Sequence, residues 1–156
     1  MSRRLCVPAS AAFLWICLAP ASAAAQTATL TVSPRAVTFV GADPDAEPLL
    51  VAAPLQVTYR IQGGGSRYTW RITVLAEGDL LAGSSSVDIS NVTWTATPAP
   101  PFQNGTLSRT VAQVLAAGTG QVNPAAVASL TFRLVNSWLY DAGTYTQTVV
   151  FTLSIP

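Results

Sequence analysis

The side chains that most enzymes and metal sites use are scarce in this chain. It contains no histidine, and its two cysteines, Cys6 and Cys17, both lie near its start. All eight basic residues are arginines, because the chain has no lysine. Ser-His-Asp and Cys-His triads, histidine-ligated zinc and Schiff-base chemistry are therefore excluded.

Seven carboxylates remain as candidates for acid–base or cation-binding chemistry. A glycosidase needs two of them facing each other across a sugar-sized cleft, but each lies in or beside a predicted turn, where aspartate is common. Asp43, Asp45 and Glu47 share one loop, and their oxygens suit calcium. Their spacing is not that of an EF-hand, so a solvated acidic loop is favoured and calcium binding stays open. We predict a protein that is not an enzyme, with no cofactor and no metal site.

Exposed aromatic rings would indicate a surface that binds sugar or protein. Trp70 and Trp94 are in phase with apolar neighbours, which predicts that both are core residues. Trp138 and Tyr140 break the alternation just before a turn. Together with Phe102, in a proline-rich loop, they form the candidate contact surface. We nevertheless favour the alternative that this cluster is a hydrophobic plug closing one end of the fold, because exposed apolar patches are uncommon.

The charge of the chain gives no support for nucleic-acid binding. The formal net charge is +1, and no clustered positive surface is evident. Arg60, Arg71 and Arg133 have the outward phase of their predicted strands. They would form a stripe able to bind carboxylates or phosphates if those strands are neighbours. Separately placed, they would keep a sheet face soluble and discourage edge pairing.

Residues 1–25 have the pattern of a secretory signal peptide. Arg3 and Arg4 precede an apolar stretch, and Ala23-Ala24-Ala25 offers the small side chains that signal peptidase accepts. The stretch is short for a membrane helix, which needs ~20 apolar residues. We expect cleavage after Ala25, no membrane span, and a protein in the periplasm, at the cell surface or released. Residues 26–156 have the size of a single domain.

Strand-like alternation, with every second residue apolar, recurs along the chain. It is clearest in Tyr145–Ile155 and also marks the following segments: Thr29–Ser33, Ala36–Val40, Val57–Ile61, Tyr68–Ala76, Val87–Ser90, Val92–Thr97, Thr106–Leu115 and Leu130–Asn136. Asn104-Gly105 predicts a tight hairpin turn, and Asn123–Ser129, with Pro124 in a first-turn position, predicts a short helical turn. The fold class is therefore all-β, an antiparallel Ig-like β-sandwich of about seven to nine strands.

The end of the chain resembles the closing strand of two kinds of bacterial surface domain. Ala142-Gly143-Thr144-Tyr145 followed by the threonine-rich Thr146–Leu153 resembles pilus-subunit and spore coat protein U domains. That resemblance implies assembly by donation of a strand to a neighbour's groove. Phe151-Thr152-Leu153 before Pro156 looks like the Trp-x-Leu motif of WxL domains, with Phe in place of Trp, and this implies attachment to the cell wall.

These features predict a non-catalytic, exported bacterial structural protein of the surface or envelope that acts through protein contacts. The expected partners are other envelope or surface proteins, cell-wall glycan, or further copies of the chain in self-assembly, but not nucleic acid. The alternative function is a small carbohydrate- or cell-wall-binding module in which Trp138 to Tyr140 contact the ligand.

Overall fold

The computed structural model describes residues 26–63 and 68–155, so the predicted signal peptide lies outside the described residues. The described residues form two antiparallel sheets and a small hairpin, which confirms the all-β sandwich. The strands are β1 Thr27–Ser33, β2 Leu49–Val51, β3 Leu55–Gln62, β4 Thr69–Ala76, β5 Leu80–Ala82, β6 Ser85–Val87, β7 Val92–Thr97, β8 Gly105–Thr106, β9 Gln113–Thr119, β10 Val122–Val135 and β11 Val149–Ser154.

The two sheets differ in width. The wider sheet has the order β1-β3-β10-β7-β8, and β2 pairs with the far end of β10. The narrower sheet has the order β11-β4-β9. The β5–β6 hairpin stands apart from both and is followed by a 3-10 turn at Ile89–Asn91. Because β10 is long, it carries both β3 and β2 on one side and β7 on the other.

The core lies between the inner faces of the sheets, where the alternation predicted it. Along β3, every second residue from Leu55 to Ile61 is buried. Trp70 and Trp94 are 6% and 1% exposed, which confirms both as core residues. The buried side chains of this core are aliphatic or aromatic, and among the described residues no charged side chain is buried.

The helical turn predicted at Asn123–Ser129 is wrong, because these residues lie inside β10. Most of the segment pairs with β3, from Ala126 opposite Tyr59 to Ser129 opposite Gln56. The register shifts between Val122 and Ala126, so the strand accommodates Pro124 in an irregular stretch. Pairing with a central strand outweighs the local preference of proline for a first helical turn.

The tight turn predicted at Asn104-Gly105 is also wrong. Neither residue has a positive φ, and the chain reverses instead over the longer connection between β7 and β8. The Oδ1 atom of Asn104 accepts a hydrogen bond from the backbone N–H of Ala96 at 2.9 Å. Gly105 is the cross-strand partner of Trp94, and a Cβ at Gly105 would collide with the indole ring. Asn104 therefore serves as a hydrogen-bond acceptor, and Gly105 leaves room for the ring of Trp94.

Several predicted strands have different bounds or do not form. The predicted Thr106–Leu115 is divided between β8 and β9, with an irregular stretch between them. Ala36–Val40 is not paired in any sheet. The final strand begins at Val149 rather than at Tyr145.

The three outward-facing arginines do not form a stripe. Arg71 lies in the narrower sheet, whereas Arg60 and Arg133 lie in the wider one. Arg60 is opposite Thr29 near one end of that sheet, and Arg133 is opposite Val51 at the other end. The structure therefore does not bring these three side chains together on one sheet face. Within the described part of the chain, no helix is long and apolar enough to cross a membrane.

Candidate functional site

The sandwich is open along one side. On the opposite side, β8 lies near β9, and an isolated bridge joins Phe102 to Ala116. On the open side, β1 is the outermost strand of the wider sheet and β11 is the outermost strand of the narrower sheet. The two strands lie near each other but are not paired. Each therefore presents an unpaired backbone edge on this side.

A cleft of about 1330 Å³ opens here, and we call it the groove. It is bordered by β1, β11 and the connections 34–48 and 136–148. Its floor includes the core side chains of Leu55, Phe132 and Leu134. Its walls include half-buried apolar side chains of the two edge strands: Leu30, Val32, Val149 and Phe151. Because these wall residues are only partly covered, an apolar occupant would remove further apolar surface from water.

Residues 36–40 border the groove and alternate like a strand without belonging to a sheet. Val37 and Phe39 are half-buried against the core, whereas Ala36, Thr38 and Val40 are exposed. Among the described residues, the backbone groups of this segment make no backbone hydrogen bonds. A segment with strand alternation and free backbone groups is a ready partner for an added strand.

The connection 136–148 borders the other part of the groove and is fastened to the β5–β6 hairpin. Leu81 and Thr146 exchange two backbone hydrogen bonds, each 3.0 Å long. The Ser85 hydroxyl donates to the carboxylate of Asp141. The Gln147 side chain donates to the carbonyl of Asp79 at 2.6 Å. The hairpin therefore holds this border in place although it belongs to neither large sheet.

The nearby carboxylates support local structure. Asp88 caps the 3-10 turn and accepts a hydrogen bond from the backbone N–H of Ser90 at 2.8 Å, which holds the pKa of its carboxyl below the usual value. Asp79 accepts from the backbone N–H of Ile89 and pairs with Arg109. Among the described residues, no group of three or more His, Cys, Asp or Glu side chains is arranged to hold a metal ion.

The acidic loop is an ordinary turn in this structure. The Oδ1 atom of Asp43 accepts a hydrogen bond from the backbone N–H of Asp45 at 2.9 Å. The carbonyl oxygen of Asp43 accepts from the N–H of Glu47 at 2.7 Å. These are the local hydrogen bonds that aspartate commonly makes in turns.

The structure separates the three residues of the candidate contact surface. Trp138 is 67% exposed and its neighbour Leu139 is 91% exposed, so these two side chains do not form a buried plug. Tyr140 is half-buried, and both Trp138 and Tyr140 line the groove. Burial raises the pKa of Tyr140, with smaller contributions from the charges of Asp88 and Tyr145.

Phe102 is placed differently from the other two. It is 2% exposed and packs edge-on against Tyr59, with ring centroids 5.8 Å apart. It does not line the groove. Its side chain is therefore a core contact: Phe102 is bridged to Ala116 on β9, although the prolines that precede it are exposed.

Comparisons with protein-family models, curated proteins and solved structures give no match for this chain. Its function must therefore be inferred from the geometry. Sequence reasoning found the alternation of Val37 and Phe39 and of Val149 and Phe151, but it did not recognise that these residues border one groove. No local signal reveals which strands are left at the edges of the sheets, because that is set by strand order.

Proposed function

We propose that this chain is a non-catalytic, exported structural protein of the bacterial surface or envelope, and that it acts through protein contacts. In this proposal, the groove receives an extended segment of another polypeptide. The single observation that supports it most strongly is the unpaired, strand-like segment 36–40, which borders an apolar groove together with the free edge of β11. Such an arrangement is suited to strand addition.

The backbone around the groove favours a strand as the occupant. An added strand satisfies free N–H and C=O groups of an edge and places every second side chain toward the core. Val149 and Phe151 on β11 and Val37 and Phe39 on segment 36–40 offer apolar positions at that spacing. The occupant should therefore carry large apolar residues at alternate positions, with polar residues between them.

The lining of the groove disfavours a small polar ligand. Small-molecule pockets usually occupy about 300–1,000 Å³ and hold a few buried polar groups that orient the ligand. The groove is larger, at about 1330 Å³. No charged side chain is buried among the described residues, and polar side chains that line the groove, such as Thr38, Asn136 and Gln147, are at least partly exposed. The groove thus provides broad apolar contact and exposed backbone edges, which are the features that bind a polypeptide segment.

A synthetic peptide of alternating valine and threonine tests this proposal. We expect it to raise the thermal unfolding midpoint of residues 26–156 with increasing peptide concentration, because it binds only the folded groove. A control peptide of the same composition, with its valines grouped together, should have little effect. The same should hold for an N-methylated version that lacks backbone donors. Equal stabilisation by all three peptides, or by none, would contradict strand addition.

Two neighbouring positions on β11 provide matched variants for that experiment. Phe151 faces the groove, whereas Val150 is on the outer face and is 40% exposed. Phe151→Ser should weaken the response to the alternating peptide, whereas Val150→Ser should leave it nearly unchanged. Because Phe151 is only half-buried, circular dichroism should show that both variants keep the strand content of the parent.

A carbohydrate- or cell-wall-binding module is the second candidate, and the exposure of Trp138 favours it. An exposed indole beside a groove suits contact with the face of a sugar ring. In that case Trp138→Ala should abolish sedimentation with purified peptidoglycan while changing the free energy of unfolding by less than about 0.5 kcal/mol, as is usual at a surface. Unchanged sedimentation of the variant would argue against this function.

A further inference from the structure

One end of the sandwich carries an exposed apolar surface, which we call the terminal patch: Leu49, Val51, Val135, Trp138 and Leu139. Leu49 and Val135 lie directly opposite each other in the β2–β10 pair and are 40% and 43% exposed. Trp138 and Leu139 follow in the adjoining turn. Neighbouring exposed apolar side chains of this kind are typical of contact surfaces.

Asn136 joins the terminal patch to the acidic loop. Its side-chain amide donates to the carbonyl oxygens of Ala42 and Glu47 at 3.0 and 2.9 Å. Its backbone N–H donates to the carbonyl of Pro48 at 2.9 Å. The turn that carries Trp138 is thus held beside the loop that carries Asp43, Asp45 and Glu47.

All the carboxylates of the chain lie at this same end of the sandwich, which we call the acidic end. They belong to the stretches between β1 and β2, between β4 and β7, and between β10 and β11, and these stretches all leave the two large sheets at one end. The seven residues are Asp43, Asp45, Glu47, Glu77, Asp79, Asp88 and Asp141. Three arginines lie at the same end: Arg35, Arg109 and Arg133. Among the described residues, Arg109 forms an ion pair there with Asp79. The acidic end is therefore net negative.

The opposite end, which we call the arginine end, carries Arg60 and Arg71. Arg60 is exposed near the end of β3, and its guanidinium donates to the side chain of Asn123 at 3.1 Å. Arg71 is exposed on β4 opposite Ser154. Neither guanidinium forms an ion pair with a described residue. Because every carboxylate side chain is at the acidic end, neither of these two guanidinium groups has a side-chain carboxylate at its own end.

We propose that copies of this chain associate end to end, with the acidic end and terminal patch of one copy against the arginine end of the next. The chain carries both complementary surfaces, whereas two like ends would repel each other. Such a contact is heterologous, so it extends into an open chain of copies unless rotation closes it into a ring. Asp43, Trp138 and Asp141 also border the groove, but the rest of this contact lies outside it. The inference goes beyond the proposed function, because the partner is a second copy of the chain bound at the ends of the sandwich.

The test measures association of residues 26–156 by sedimentation velocity over a range of protein concentrations at low and high salt. We expect multiples of the monomer at low salt. Association should weaken by roughly tenfold or more near 1 M salt, where the screening length is about 3 Å. A chain that stays monomeric at every concentration in low salt would overturn the proposal.

Two variants block one end each without changing groove residues. Arg60→Gln with Arg71→Gln neutralises the arginine end. Asp45→Asn with Glu47→Gln and Leu139→Ser weakens the acidic end and the terminal patch. Neither variant should associate alone, but an equimolar mixture should form a 1:1 complex and no larger species, because each variant retains one intact end. Association of either variant at the parent level would overturn the proposal.

Arg35→Gln is the matched control, because it also removes a positive charge but from an exposed residue beside the acidic loop. It should leave association unchanged or strengthen it. If it weakens association as much as Arg60→Gln alone, which also removes a single charge, the effect reflects net charge alone and the end-to-end contact is wrong. Thermal unfolding of each variant shows whether it is folded, and stabilisation by the alternating peptide reports the groove independently.

Discussion

At the scale of single residues, Tyr59 connects the two layers of the core. It lies on β3 and is 2% exposed. Its ring centroid is 5.0 Å from that of Trp70 in the other sheet and 5.8 Å from that of Phe102. Aromatic pairs at these distances contribute beyond the area they bury. Burial raises the pKa of the Tyr59 phenol, because desolvation disfavours the phenolate.

The raised pKa of Tyr59 predicts a loss of stability in alkali. In the unfolded chain, this phenol ionises near pH 10. Above that pH the unfolded state binds fewer protons than the folded state, so the free energy of unfolding decreases as pH rises toward the folded pKa. Below pH 10 the contribution is fully present. Tyr59→Phe should therefore move the midpoint of alkaline unfolding to higher pH, as measured by circular dichroism.

The control for this prediction is the absorbance of tyrosinate, followed over the same pH range. In the parent, the ionisation of Tyr59 should coincide with unfolding. The corresponding part of the absorbance increase should be absent from the Tyr59→Phe variant. An unchanged alkaline midpoint in the variant would show that another group limits stability at high pH.

At the scale of elements, two tryptophans are each accommodated by a glycine on the neighbouring strand. Trp70 on β4 pairs with Gly118 on β9, and Trp94 on β7 pairs with Gly105 on β8. A Cβ at either glycine would fall well inside contact distance of the indole ring. The Trp94 Nε1–H also donates to the carbonyl of Gln103 at 2.9 Å, which fixes the loop before β8.

Gly118→Ala and Gly105→Ala should each lower the free energy of unfolding by about 1–3 kcal/mol, because the added methyl group overpacks against a buried ring. Chemical denaturation would measure the change. Gly41→Ala is the matched control, since its Cβ would meet no atom within 4 Å and its φ is not in the left-handed range. Its effect should stay within about 0.5 kcal/mol. Equal effects at all three positions would contradict the steric explanation.

At the scale of the whole molecule, strand order places the free edges of β1 and β11 on the same side. On the opposite side Phe102 is bridged to Ala116, whereas β1 and β11 lie near each other without a bridge between them. The groove, segment 36–40 and the connection 136–148 all follow from this asymmetry. The charged groups are also distributed unevenly, with the carboxylates at one end and Arg60 and Arg71 at the other.

Much of the fold was predictable from the sequence, because alternation depends on neighbouring residues. Burial on one face of a strand repeats every second residue. The strands around Val57, Trp70 and Trp94 are therefore confirmed close to their predicted bounds. The predictions at Asn104-Gly105 and at Asn123–Ser129 are wrong, because the packing of Trp94 and the pairing of β10 with β3 outweigh local turn and helix preferences.

The sequence by itself determined the all-β class, the core tryptophans, and the lack of histidine and lysine for catalysis. Only the tertiary structure decided that Ala36–Val40 has no strand partner and that Trp138 is exposed while Phe102 is buried. It also placed the seven carboxylate side chains, which are spread over the chain, at one end of the sandwich. The reason is physical. Alternation is encoded within a few residues, whereas strand order, free edges and the ends of a sandwich are set by contacts between distant segments.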